Sequence, residues 1–125
     1  MAITVGSKGL EEVNLEIPQG TSLSFEIEHV DEDTGDPIDH TTDTTCRMAF
    51  EEKNGSWFLD LSEYCIPTSS GFYINIPMDV TKELPLTSSK FKLLWDIIVY
   101  TDPYNSVRVC YGDVTVDDTY ALDGE

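Results

Sequence analysis

Lys90-Phe91-Lys92-Leu93-Leu94-Trp95-Asp96-Ile97-Ile98-Val99-Tyr100-Thr101, then Asp102-Pro103-Tyr104-Asn105-Ser106, then Val107-Arg108-Val109-Cys110-Tyr111-Gly112-Asp113-Val114-Thr115-Val116: two runs rich in β-branched and aromatic residues flank a short polar segment. That composition predicts a strand, a turn and a returning strand. The first run is apolar in both alternations. Phe91, Leu93, Trp95, Ile97 and Val99 share one phase; Leu94, Ile98 and Tyr100 share the other, where only Lys92 and Asp96 are polar. A strand in an antiparallel sheet normally needs one apolar face. The second must therefore meet another layer, an N-terminal arm or another chain. In the returning run Val107, Val109 and Tyr111 share one phase, and Val114 and Val116 the other. One extra residue at Gly112, a β-bulge, returns both sets to the core. The alternative is a strand that changes sheets there.

Outward from this hairpin the chain reads as short strands. Val13, Leu15 and Ile17 alternate with polar residues up to Pro18-Gln19-Gly20. Leu23, Phe25 and Ile27 alternate with Ser24, Glu26 and Glu28, the clearest such pattern in the chain. Cys46, Met48 and Phe50 form the next inward set, and Lys53-Asn54-Gly55-Ser56 is a hairpin turn, since Asn-Gly favours a left-handed backbone. Residues 57–61 return, residues 62–70 connect, and Phe72, Ile74 and Ile76 alternate up to Pro77. Residues 79–84 predict one helical turn, capped by Asp79 and stopped by Pro85. The sum is an all-β, immunoglobulin-like antiparallel β-sandwich of seven to eight strands. Its core is predicted from Leu23, Phe25, Ile27, Met48, Phe50, Ile74, Trp95, Ile97 and Val109. Three segments result: a flexible arm over residues 1–12, the sandwich over 13–116, and an acidic tail over 117–125 with Tyr120 and Leu122 as anchors.

The chain has 125 residues, a length for one domain. Twenty-four acidic residues against seven basic ones leave a net charge of −17. Such a chain is repelled by phosphate backbones and by anionic membranes, so neither nucleic acid nor a membrane is an expected partner. No apolar run is long enough to span a bilayer, and the first residues lack the pattern of a signal peptide, so synthesis and folding in a cytoplasm are expected. Cys46, Cys65 and Cys110 lack ligand spacing and read as buried free thiols; a Cys46–Cys110 bridge is disfavoured in a reducing compartment.

Little in the sequence points to catalysis. Asp31, Asp33 and Asp36 share one turn, and carboxylates spaced in this way can converge on Ca²⁺. The spacing is not that of an EF-hand, Gly35 stands one position early and no glutamate closes the loop at Thr42, so a solvated acidic turn accounts for it and no cofactor is expected. His29 falls in phase with the core face, and His40 lies among Asp39, Asp43 and hydroxyl residues. Neither has a nucleophile at a motif spacing, and no phosphate loop or zinc pattern is present. The aromatic residues off the core face fit a protein interface or a sugar-stacking surface. A sheet face rather than a cleft favours the interface, with Leu94, Ile98, Tyr100 and Tyr104 as its residues.

The order of these pieces resembles a family. Ile17-Pro18-Gln19-Gly20-Thr21-Ser22-Leu23-Ser24-Phe25, then Gly35-Asp36-Pro37-Ile38-Asp39, then Cys46-Arg47-Met48-Ala49-Phe50 follow in sequence. Ile74-Asn75-Ile76-Pro77 with Thr81 and Leu84, the Trp95-Asp96 strand and the closing run over 107–116 complete the pattern. It resembles the small immunoglobulin-like sandwich domains of bacteriophage virion proteins of the baseplate, tail-fibre and tail-adaptor kind. His40-Thr41-Thr42 departs from it, where the family carries Leu-Thr-Gly. The resemblance implies a non-enzymatic structural protein in a virion that packs against other virion proteins, as a homo-oligomer or ring, and fixes fibres to the particle. Capsid decoration or a head-fibre role is the alternative, and a carbohydrate-binding module a further one.

Overall fold

The alternation read above becomes two sheets in the structure, a computed structural model that describes residues 2–9, 11–41, 45–102 and 104–118. The strands are β1 (Ala2–Gly6), β2 (Leu15–Pro18), β3 (Leu23–Val30), β4 (Thr45–Glu52), β5 (Phe58–Asp60), β6 (Cys65–Thr68), β7 (Gly71–Ile76), β8 (Leu93–Asp102) and β9 (Asn105–Asp117). One sheet has the order β1-β3-β7-β6 and the other β2-β9-β8-β4-β5. Side chains of alternate phase from both fill the space between them. Phe25, Ile27 and Ile74 come from the first sheet, and Met48, Phe50, Trp95 and Ile97 from the second; all are buried. Val109 joins them and Leu23 is half-buried against the same cluster. Phe25 meets Trp95 edge-on, with ring centroids 6.2 Å apart and planes at 84°. No described helix is long and apolar enough to cross a membrane.

The sheets are mixed rather than purely antiparallel. β1 runs parallel to β3, and β2 runs parallel to β9. Ala2–Gly6 is therefore a strand where the sequence predicts a flexible arm: Val5 is buried, and the turn that follows is tied down by Glu32, whose carboxylate accepts the Lys8 amide at 2.8 Å. β6 is a further strand, in a stretch whose Pro67 and short length hide it from a periodicity search. The helical turn spans Met78–Thr81; Pro77, not Asp79, occupies its N-cap and no side chain caps it. Instead Thr81, fully buried, donates through Oγ1 to the Thr21 carbonyl at 2.7 Å. The tail residues 119–125, with Tyr120 and Leu122, lie outside the described residues.

The bulge lies three residues before Gly112. Ile97 pairs with Cys110 and Ile98 with Arg108, so Val109 is the extra residue. Val109 and Cys110 both turn inward, Tyr111 moves to the outer face, and Val114 and Val116 fall back into the core. Gly112 pairs in register with Trp95 and serves a different need. A Cβ there would stand 1.9 Å from the Val13 carbonyl oxygen. That same oxygen accepts the Trp95 indole N–H at 2.7 Å, and the Val13 amide donates to the Tyr111 carbonyl at 2.7 Å. The chain can cross this close to β9 only where β9 has no side chain.

Two substitutions separate the parts of this junction. Trp95→Phe keeps a ring but leaves a buried carbonyl without its donor, and is expected to cost about 1–3 kcal/mol. Gly112→Ala forces the crossing segment away and is expected to cost at least about 1–3 kcal/mol, as overpacking does. Urea unfolding curves of both variants check this; a neutral Gly112→Ala would show that Val13 does not pass so close to β9.

Candidate functional site

The outer face of the five-stranded sheet is built on β8. Its inward residues, Leu93, Trp95, Ile97 and Val99, are buried, so Leu94, Asp96, Ile98 and Tyr100 point the other way. The register of β4 and β9 gives each of these two neighbours. Glu51 and Asp113 flank Leu94, Ala49 and Tyr111 flank Asp96, Arg47 and Arg108 flank Ile98, and Thr45 and Ser106 flank Tyr100. Directly opposed side chains on one sheet face are in contact range. The face is thus crossed by an acidic row and, four residues further along β8, a basic row, each centred on an aliphatic side chain.

The two arginines are held. The guanidinium carbon of Arg108 lies 4.1 Å from the Tyr111 ring centroid, and its Nε and Nη2 both donate to the Gly9 carbonyl, at 3.3 and 3.2 Å. Arg47 lies 5.5 Å from the ring centroid of Phe58, itself 51% exposed on β5. Such contacts fix an Arg head on an aromatic plane and keep its aliphatic stem on the sheet. Between the rows, burial raises the Asp96 carboxyl above the usual carboxylate range; Glu51 adds to this, while Arg47 and Arg108 oppose it. Glu12, Glu51, Leu94, Asp96, Arg108, Tyr111 and Asp113 help line a depression of about 340 Å³.

Three of the four residues expected at an interface share this face. Leu94, Ile98 and Tyr100 stand in one line along β8, half-buried. Tyr104 is at the tip of the β8–β9 hairpin, beyond the face and 94% exposed. The expected continuous apolar face is instead banded by charge. Arg47 and Glu51 were legible as the polar phase of their strand, but Arg108 joins them only through the bulge at Val109. The acidic turn shows a different arrangement. The Asp31 carboxylate accepts the amides of Asp33 and Thr34, at 2.8 and 3.3 Å, and Asp33 and Asp36 are exposed. Among the described residues no group of three His, Cys, Asp or Glu side chains is placed to hold a metal ion.

Sequence reasoning missed a pair at one end of the sandwich. His29, in phase with the core, and His40, from an irregular segment, are both buried, at 3% and 6% exposure. His29 Nδ1 and His40 Nε2 are 2.8 Å apart, and the rings are nearly parallel with centroids at 5.0 Å, an edge-to-edge N–H···N bond. His40 also stacks on Phe72 at 4.6 Å. His29 Nε2 is buried with no hydrogen-bond partner among the described residues. A proton there would be an orphaned donor, so the favoured tautomer puts it on Nδ1, which donates to His40. Burial, then the charge of His40, pushes the His29 imidazole down to about 4; burial also lowers that of His40. With Ser7, Ile38, Asp39, Val99 and Val107 the pair lines a mainly apolar pocket of about 300 Å³.

No known protein family matches the chain, and no curated protein sequence is significantly similar to it.

The histidine pair makes stability depend on pH. Above the ordinary histidine value of 6.5 both the folded and the unfolded chain hold the rings neutral. As pH falls from 6.5 toward 4 the unfolded chain binds protons that the folded one refuses, so stability drops through this window. Carboxylates held low by their turns, such as Asp39, Glu52 and Asp60, add to the loss at lower pH. Chemical denaturation from pH 8 to 5 is expected to show the decline, and His29→Asn to flatten it; an unchanged slope in that variant assigns the titration elsewhere.

Proposed function

We propose that this chain is a structural, non-enzymatic component of a phage particle. It acts as a tail, baseplate or fibre-attachment adaptor through protein–protein contacts, with its sandwich of immunoglobulin type. The strand order supports the fold reading. β1-β3-β7-β6 corresponds to the A-B-E-D sheet of such domains and β9-β8-β4-β5 to their G-F-C-C′ sheet, with β2 as the second half of a split first strand. The parallel pairing of β1 with β3 departs from the usual arrangement. Where β3 faces β8, Phe25 on Trp95 fills the centre, and all three cysteines are free.

The observation that carries the functional reading is the outer face of β8. Leu94 and Ile98 centre an acidic and a basic row on a broad sheet surface, with Tyr100 beyond the basic one, which suits a partner surface of complementary pattern. Aromatic and Arg side chains are the usual anchors of such surfaces, and Tyr111, Phe58, Arg47 and Arg108 stand beside the aliphatic ones. Placement in a virion rests on the sequence resemblance. Other virion proteins and further copies of the chain are the partners it implies.

Immunogold labelling of purified particles with an antibody to the chain tests the placement. Label at the tail or baseplate is the expected result. Label over the head moves the protein to capsid decoration or a head fibre. Absence from the particle by mass spectrometry removes the virion reading and turns attention to glycan binding at Phe58 and Tyr104. The face is tested separately: Leu94→Asp and Tyr100→Asp are half-buried positions whose variants should fold and fail to assemble. Folded variants that still assemble exclude this face.

A further inference from the structure

The three thiols are not equivalent. Cys46 and Cys110 both belong to the five-stranded sheet, on β4 and β9, with β8 between them. Two strand spacings of about 4.8 Å separate their backbones by roughly 10 Å, beyond the reach of a disulfide. Cys65 is different. It opens β6, the edge strand of the other sheet, and the chain leading to it runs along β4: the Leu61 amide donates to the Met48 carbonyl at 2.8 Å, and the Met48 amide to Ser62 Oγ at 3.1 Å. β4 and β6 approach within 8 Å between Cα atoms. The Cys46 thiol points across the gap and donates to the Cys65 carbonyl, with Sγ···O at 3.3 Å.

We propose that Cys46 and Cys65 are an oxidation site, joined into an inter-sheet disulfide by exchange with a small-molecule disulfide such as oxidised glutathione. Cys46 is the entry point because it is half-buried while Cys65 and Cys110 are buried. The neighbouring thiols shift each other, Cys46 down and Cys65 up, so Cys46 is the one that ionises first. Cys110 stays out of the exchange because it is buried two strands away from Cys46. The Cys46 thiolate attacks one sulfur of the small disulfide, and one small thiolate leaves and takes a proton from solvent. The Cys65 sulfur, giving up its proton, then displaces the second small thiolate from Cys46. Two protein thiols are oxidised by two electrons, one small disulfide is reduced, and two small thiols are released.

The bond fastens β6, the edge strand beside β7, to the opposite sheet. In a particle that leaves a reducing cytoplasm it would close on release; that timing rests on the virion reading, whereas the bond does not.

The test uses the full native chain, incubated with oxidised glutathione at pH 8 and digested without reduction for peptide mapping. The expected result is a linked Cys46–Cys65 peptide, a free Cys110, and a rise in Tm of about 5–10 °C that a reductant reverses. Cys110→Ser should leave the linkage unchanged, and Cys65→Ala should stop at a glutathione adduct on Cys46. A lasting glutathione adduct on Cys46 of the unaltered chain, a bond to Cys110, or three thiols that stay free overturns the proposal.

Discussion

The hydrogen bond from the Trp95 indole to the Val13 carbonyl ties together parts of the chain that are remote in sequence. Trp95 sits at the middle of β8 with its ring in the core, and a buried indole N–H must find an acceptor. The strands around it have spent their carbonyls on the ladder. The acceptor comes from the segment that carries the chain from β1, in one sheet, to β2, in the other. That segment reaches the indole only by passing over Gly112, and it is fixed there by its own bond to Tyr111. The split N-terminal strand, the central tryptophan and the missing side chain on β9 are therefore one requirement met three times.

A chain with net charge −17 must place its carboxylates where they do not oppose folding. Several accept hydrogen bonds from their own turns. Glu52 takes the amides of Asn54 and Ser56 and the Ser56 hydroxyl, closing the β4–β5 hairpin on the far side of Gly55. Asp60 does the same for Ser62, and Asp39 for Thr41. In each case the ionised form is the better acceptor, which is why these carboxyls titrate low. Asp96 is the exception: held on the sheet face beside Glu51, it has its proton affinity raised instead. A carboxyl shifted toward the neutral form thus falls on the surface proposed for contact.

How much of this could be read beforehand follows from physics. The strands with one polar and one apolar phase, β3 and β4, and the doubly apolar β8, were legible because burial imposes the period of two. β1 and β6 were not. Ala2–Gly6 has little alternation and is held by parallel pairing and by the tie to Glu32, while β6 is short, contains a proline and follows a 3-10 turn at Ser62–Tyr64. The need for a bulge in β9 was visible in the phase change, but its place was not. Glycine drew it to Gly112, whereas Val109 takes the extra position and Gly112 answers to a neighbour 99 residues earlier. Contacts between sheets leave no period at all. The pairing of His29 with His40, the meeting of Cys46 with Cys65 and the banding that Arg108 completes arise only when loops and registers are set.

The parallel pairing of β2 with β9 also determines how the protein bears load. When the two ends of a chain are drawn apart, antiparallel neighbours at the termini peel open one hydrogen bond at a time. Here β2 and the last strand, β9, run the same way, so tension pulls them in opposite directions along their length. Their inter-strand bonds are then sheared together and must yield as a group. A pull on the two ends would therefore load this clamp, whose inward residues Leu15, Ile17, Val114 and Val116 belong to the core.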